Sequence, residues 1–219
     1  MRKVFQAELH HIGEELIEIS KLVSEAMQKA SNAFEAADTE LAQEVIAADA
    51  RIDFLQNDLD ERAIDVLALQ GPVASDLRMI VGALRMSASL ERMGDLARHI
   101  AQLARLRFPD NVVPEGIRPT FQEMAQLDIA IANKVTELLE TRNLQLSNEI
   151  YAHNARINEL HAGVFKSVAA ADWNASAPTT VDVTLASRYF ERFADHGVSV
   201  ARKVTYLVTG EWQPSAPLN

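Results

Sequence analysis

Asp49 and Asp53, Glu91 and Asp95, and Glu191 and Asp195 form three acidic pairs with one shared spacing, the second acid one helical turn after the first. On a helix such residues share a face, so each pair can turn two carboxylates toward a single cation. An oxygen-only donor set suits a hard metal ion, and iron, manganese, magnesium and zinc all remain open. Spacing alone carries little weight. Acidic residues make up about one seventh of the chain, so chance gives roughly four such pairs.

Position is what singles out Glu91 and Asp95. Leu77, Ile80, Val81, Leu84 and Ala88 trace an apolar stripe on the third helix, and its continuation at 3.6 residues per turn lands on both acids. Two like charges on a buried stripe cost several kcal/mol unless they are protonated, ion-paired or bound to a cation. Arg92, Arg98 and Arg51 are the candidate ion-pair partners. Asp49 and Asp53 lie beside, rather than on, the stripe that Leu41, Val45, Ala48, Ile52, Leu55, Leu59 and Ala63 form on the second helix. If these two helices run antiparallel, both acidic pairs stand about five turns from the Gly71-Pro72 loop and face each other. The matching partners of Glu191 and Asp195 are Asn154 and Asn158, so a weaker or absent metal is expected in the second half.

Other candidates are weaker. His99 follows Asp95 by one turn and offers an extra nitrogen ligand, but a lone helical histidine is more often a packing or surface residue, and His153 and His196 are read the same way. A carboxylate-bridged metal enzyme of the ferritin-like type is the alternative reading, and it needs two Glu-x-x-His motifs. Only Glu8-Leu9-His10-His11 fits, near the chain start. No phosphate-binding glycine loop, nucleophile elbow or Ser-His-Asp arrangement is present, so no catalytic residue is expected. Ser75 and Asp76 read as a helix start, and Trp173 and Trp212 as loop aromatics that cover a bundle end or anchor an interface.

The elements that position these residues are helices. Only 8 Gly and 7 Pro occur in 219 residues, which leaves long stretches with little to break a helix. Helices are predicted over residues 4–36, 40–70, 73–107, 120–140, 144–171 and 179–209. The longest break, 109–119, divides the chain into halves at 1–110 and 111–212, with a frayed tail at 213–219. The halves repeat each other. Asp49-Ala50-Arg51-Ile52-Asp53 answers Asn154-Ala155-Arg156-Ile157-Asn158, and Leu90-Glu91-Arg92-Met93-Gly94-Asp95 answers Phe190-Glu191-Arg192-Phe193-Ala194-Asp195. The expected fold is all-α, two tandem three-helix bundles of long antiparallel helices packed side by side.

Composition narrows the function. A hydrophobic content of 48% supports a sizeable core. A formal net charge of -10 repels a nucleic-acid backbone. With no cysteine, disulfides, thiolate metal sites and thiol nucleophiles are excluded. Neither a signal peptide nor a membrane-spanning run is read from the chain, which points to a cytoplasmic protein that reaches a membrane only through partners.

The stretch Pro72-Val73-Ala74-Ser75-Asp76-Leu77-Arg78, the Leu90 to Asp95 motif and its echo at Glu191 to Asp195 resemble the PhoU family of phosphate-transport regulators. Phe190 through His196, with Val208-Thr209-Gly210 after it, is similar to the family's actinobacterial branch. The resemblance implies two three-helix repeats, a homodimer, and metal held at Asp49, Asp53, Glu91, Asp95, Glu191 and Asp195. It also implies repression of the phosphate-starvation response, with the ATPase subunit of the phosphate ABC transporter and a sensor histidine kinase as partners.

Overall fold

A computed structural model describes residues 2–211, with side chains from Val4 onward; Trp212 and the tail predicted at 213–219 lie outside the described residues. Six helices follow one another: α1 (Arg2–Ala36), α2 (Thr39–Gln70), α3 (Ala74–Arg107), α4 (Arg118–Thr141), α5 (Gln145–Val168) and α6 (Ala177–Thr209). A 3-10 turn, Glu115–Ile117, lies in the predicted break. At 1.5 Å per residue the longest helices span about 50 Å.

The ends follow local chemistry. Asp38 caps α2 by accepting hydrogen bonds from the Glu40 and Leu41 N–H groups, both at 3.0 Å. Gly71 closes α2 in the left-handed region at φ +53°, where a side chain would be strained. α4 and α6 begin two residues before the predicted positions because Pro119 and Pro178 sit inside their first turns, where a missing N–H leaves nothing unpaired. Ser176 caps α6 by accepting from the Thr179 N–H. α5 stops at Val168, short of the predicted 171, and the Ala169 N–H closes it onto the Phe165 carbonyl.

The buried faces depart from the predicted stripes in two places. On α2, Val45, Ile52, Leu55, Leu59 and Ala63 are buried as predicted, but Ala48 is exposed and Asp49 takes the buried position beside it. On α3 the buried residues are Ile80, Ala83, Met86, Ser87, Ser89, Leu90, Met93, Gly94, Leu96, Ala97, Ile100, Ala101, Leu103 and Ala104. Leu77, Val81 and Ala88 are exposed, so Glu91 and Asp95 flank the core instead of lying on it. The cause is the crowding of α3, which packs against α1, α2 and α6 at once. Close approach on three sides interleaves Ala, Ser and Gly with the larger buried side chains, and the apolar residues Leu77 and Val81 at its N-terminal end mark the wrong face.

Helices α1, α2 and α3 pack together, as do α4, α5 and α6, and the two sets join through α3 on α6 and α1 on α4. Phe34, Phe121 and Phe190 meet across that join with ring centroids 5.6 to 6.2 Å apart. All three are buried, Phe190 completely. Gly197 of α6 packs closely on α4: a Cβ there would lie 2.5 Å from Ile131 Cγ2, with Met93 of the other repeat at 3.8 Å. Arg107 at the end of α3 pairs with the buried Asp182 of α6.

Candidate functional site

The first acidic site lies in the α2–α3 seam. Gly94 lets the helices close: a Cβ on it would stand 3.0 Å from Ile52 Cδ1 and 3.4 Å from Asp49 Oδ1. Asp49 is thereby enclosed at 8% exposure. The Arg98 guanidinium donates from Nε to Asp49 Oδ2 and from Nη2 to Asp95 Oδ1, both at 2.5 Å. Arg92 Nη1 donates to Asp95 Oδ2 at 2.7 Å, and its Nε stands 3.4 Å from Glu91 Oε2. Asp49 and Asp95 therefore face one another across a guanidinium, with Glu91 at the rim. Asp53, one turn from Asp49, is exposed. Arg51 lies outside the seam, on Glu18 and over the Phe54 ring.

These neighbours separate the acids. Burial raises Asp49 above its ordinary value, and Arg98 offsets this only in part. Glu91 is raised by burial and then by the Asp95 charge, with Arg92 opposing. Burial acts upward on Asp95 too, but the Arg98 hydrogen bond and charge, joined by the Arg92 charge, outweigh it and hold Asp95 low. The seam thus holds one carboxylate whose charge its neighbours favour and two whose charge burial disfavours.

The second repeat solves the same problem differently. Glu191 is buried and accepts from Arg188 Nη1 at 2.6 Å, while Asp195 is exposed. Burial and then the Asp195 charge raise Glu191, with Arg188 opposing. Asn154 is half-buried with its Oδ1 lacking a hydrogen-bond partner, and Asn158 is exposed. Sequence reasoning missed Asp128 of α4, which is fully buried with neither carboxylate oxygen hydrogen-bonded. Burial, then the charges of Glu191 and Asp195, raise it well above the ordinary range. A signal was available: Phe121, Met124, Asp128, Ile131, Val135 and Leu138 recur at steps of three and four, so this acid stands on an apolar stripe.

The remaining candidates pack. His99 lies against the Tyr189 ring at 5.1 Å, across the join between repeats. His153 and His196 are half-buried, and burial lowers both. In the Glu-x-x-His stretch, Glu8 meets Arg62, while His11 faces Glu14 and Glu15. The Trp173 indole donates to Thr180 Oγ1 at 2.8 Å and packs on the core, covering the bundle end. Ser75 and Asp76 fall within the first turn of α3, and no side chain caps that helix.

As arranged, no group of three or more His, Asp or Glu among the described residues is close enough to hold a metal ion. Arginine guanidinia stand where a cation would. The chemistry of the donors still fits a hard cation: enclosed carboxylates drawn to a positive group in one repeat, and orphaned buried oxygens at Asp128 and Asn154 in the other.

Fold and site together define a tandem three-helix-bundle protein with an acidic seam in each repeat. The PhoU domain family model matches residues 16–104 and 121–204. The chain belongs to the PhoU family. It is 38% identical over 210 residues to the Mycobacterium tuberculosis protein named phosphate-specific transport system accessory protein PhoU homolog 2, covering 96% of this chain and 99% of that one. The Mycobacterium leprae homolog 1 is 37% identical, covering 97% of this chain and 96% of the relative. Among solved structures, PhoU from Pseudomonas aeruginosa superposes with TM-score 0.86 at 25% identity, covering 94% of this chain and 100% of that one. The Streptococcus pneumoniae regulatory protein PhoU shares the fold at TM-score 0.84 and 24% identity, covering 96% and 100%.

Proposed function

We propose that this chain restrains phosphate uptake and the phosphate-starvation response, as an adaptor between the ATPase subunit of the phosphate ABC transporter and a sensor histidine kinase. The observation that carries this reading is its end-to-end similarity to proteins named as phosphate-specific transport accessory proteins, which spans both repeats. An adaptor needs surfaces and not turnover, and the chain is read as a non-enzyme. Leu77, Val81, Leu185 and Val208 are large apolar side chains left exposed on α3 and α6, and such side chains support docking of a partner or of a second copy in a homodimer. No helix among the described residues is long and apolar enough to cross a membrane. That supports a cytoplasmic adaptor recruited to the inner membrane face by its partners.

The acidic seams are read as cation sites for iron, manganese, magnesium or zinc. Asp49, Asp53, Glu91 and Asp95 would hold the ion in the first repeat, and Glu191 and Asp195 in the second. A bound cation supplies positive charge to carboxylates that otherwise lean on arginine. The chain's own residues do the positioning: Gly94 sets the seam width, Asp49 anchors its floor, and Arg98 and Arg92 hold Asp95 ionised.

Deleting the gene from a strain with no second copy of the family, and reading a phosphate-starvation reporter in high phosphate, tests the proposal. The reporter is expected to switch on. A reporter that stays silent contradicts the regulatory reading.

A further inference from the structure

Asp128 is the one buried carboxylate among the described residues whose two oxygens both lack a hydrogen-bond partner. The charges that act on it are those of Glu191 and Asp195, which are acids too. Neither packing nor ion pairing accounts for an acid there, because a buried carboxyl without partners is unfavourable in either protonation state.

The repeat register supplies an account. Val23 and Asp128 stand equally far from the ends of their helices, Ala36 and Thr141. The interval from Val23 to Asp49 also equals that from Asp128 to Asn154. Val23 is a core residue at 1% exposure. The first repeat thus places an apolar residue on its first helix and an acid on its second, and the second repeat places an acid on its first helix and a neutral amide on its second. The third helix carries a Glu at the matching place in both, Glu91 and Glu191.

We propose that Asp128 is a cation ligand of the second repeat, supplying from α4 the carboxylate that Asn154 lacks on α5. The orphaned Asn154 Oδ1 is a second, neutral oxygen of the kind hard cations accept. Glu191 joins by exchanging its Arg188 bond for the ion. The donors are oxygens, so the class of ligand is a hard divalent cation. This inference rests on the reading of the acidic seams as cation sites, and it gives the second repeat a ligand that the spacing of acidic pairs does not provide.

Manganese alone, without phosphate, is the probe, titrated into the metal-stripped full chain and followed by calorimetry. Asp49→Asn with Asp95→Asn isolates the second repeat and is expected to keep manganese binding there. Adding Asp128→Val, which installs the first repeat's residue, is expected to weaken that binding at least tenfold. Adding Asn154→Asp on top, which moves the carboxylate to α5, is expected to restore it. Circular dichroism melting shows whether each variant is folded, and Asp128→Val is expected to melt no lower than its parent. Unchanged binding after Asp128→Val overturns the role of Asp128 and leaves the seam reading standing. A parent chain that binds no manganese at either repeat overturns both.

Discussion

Arg98 and Asp49 pair across the α2–α3 seam, guanidinium Nε to carboxylate Oδ2 at 2.5 Å, and the same guanidinium reaches Asp95. Arg98→Ala leaves Asp49 enclosed without a counter-charge. Loss of one partner of a buried pair costs about 3–5 kcal/mol, and the quarter exposure of the Arg98 side chain brings the expected loss to about 1–3 kcal/mol. Urea unfolding with and without manganese checks this. Manganese is expected to return part of the lost stability, because it replaces the missing positive charge.

Asp128 sets a pH dependence. Its folded pKa lies above the ordinary 3.8, so the folded chain binds this proton more tightly than the unfolded chain. The associated stability is complete below the unfolded value and is lost as pH rises through the interval to the folded one. In metal-free protein, Asp128→Asn is expected to remove that decline and to melt higher than the parent at neutral pH. Melting curves at a series of pH values, with chelator present, read it out.

Gly197 and Gly94 separate two kinds of close approach. At Gly197 a Cβ meets a branched Ile131 methyl at 2.5 Å, so Gly197→Ala overpacks the α4–α6 contact within the second repeat and is expected to cost about 1–3 kcal/mol. At Gly94 a Cβ meets Ile52 at longer range, its terminal Cδ1 at 3.0 Å and Cγ2 at 3.3 Å. The helix-propensity gain of about 0.5–1 kcal/mol then offsets most of the crowding, and Gly94→Ala is expected to be near neutral. Chemical denaturation of the two variants distinguishes them.

Phe190 ties the repeats together through Phe34 of the first, with Phe121 of its own repeat against it. Phe190→Ala is expected to lose about 3–5 kcal/mol, with both repeats melting in one transition at lower temperature. Calorimetry resolves one peak or two.

Much of this was legible in the sequence. Long intervals with few Gly and almost no Pro mark the helices, and the echo of Leu90 to Asp95 at Phe190 to Asp195 marks the repeat. The facing of Asp49 and Asp95 follows from counting turns back from Gly71-Pro72, because two antiparallel helices share one rise per residue. Burial around α3 was less legible. Periodicity weighs large apolar side chains, whereas half of the residues that α3 buries among its three neighbours are Ala, Ser and Gly, which carry little hydrophobic signal. The counter-charge was legible only as a set: Arg98 and Arg92 serve the seam and Arg51 does not, and rotamers decide between them. Asp128 went unread because the acidic pairs drew the search to i,i+4 spacing, and a single acid on an apolar stripe has no such partner.

The most direct test of regulation through the acidic seams is complementation of the deletion strain in high phosphate with Asp49→Asn, Glu91→Gln, Asp95→Asn. These amides preserve shape and remove the negative charge. The expected result is a folded protein, present at normal level, that leaves the phosphate-starvation reporter on. Full repression by that variant contradicts the account.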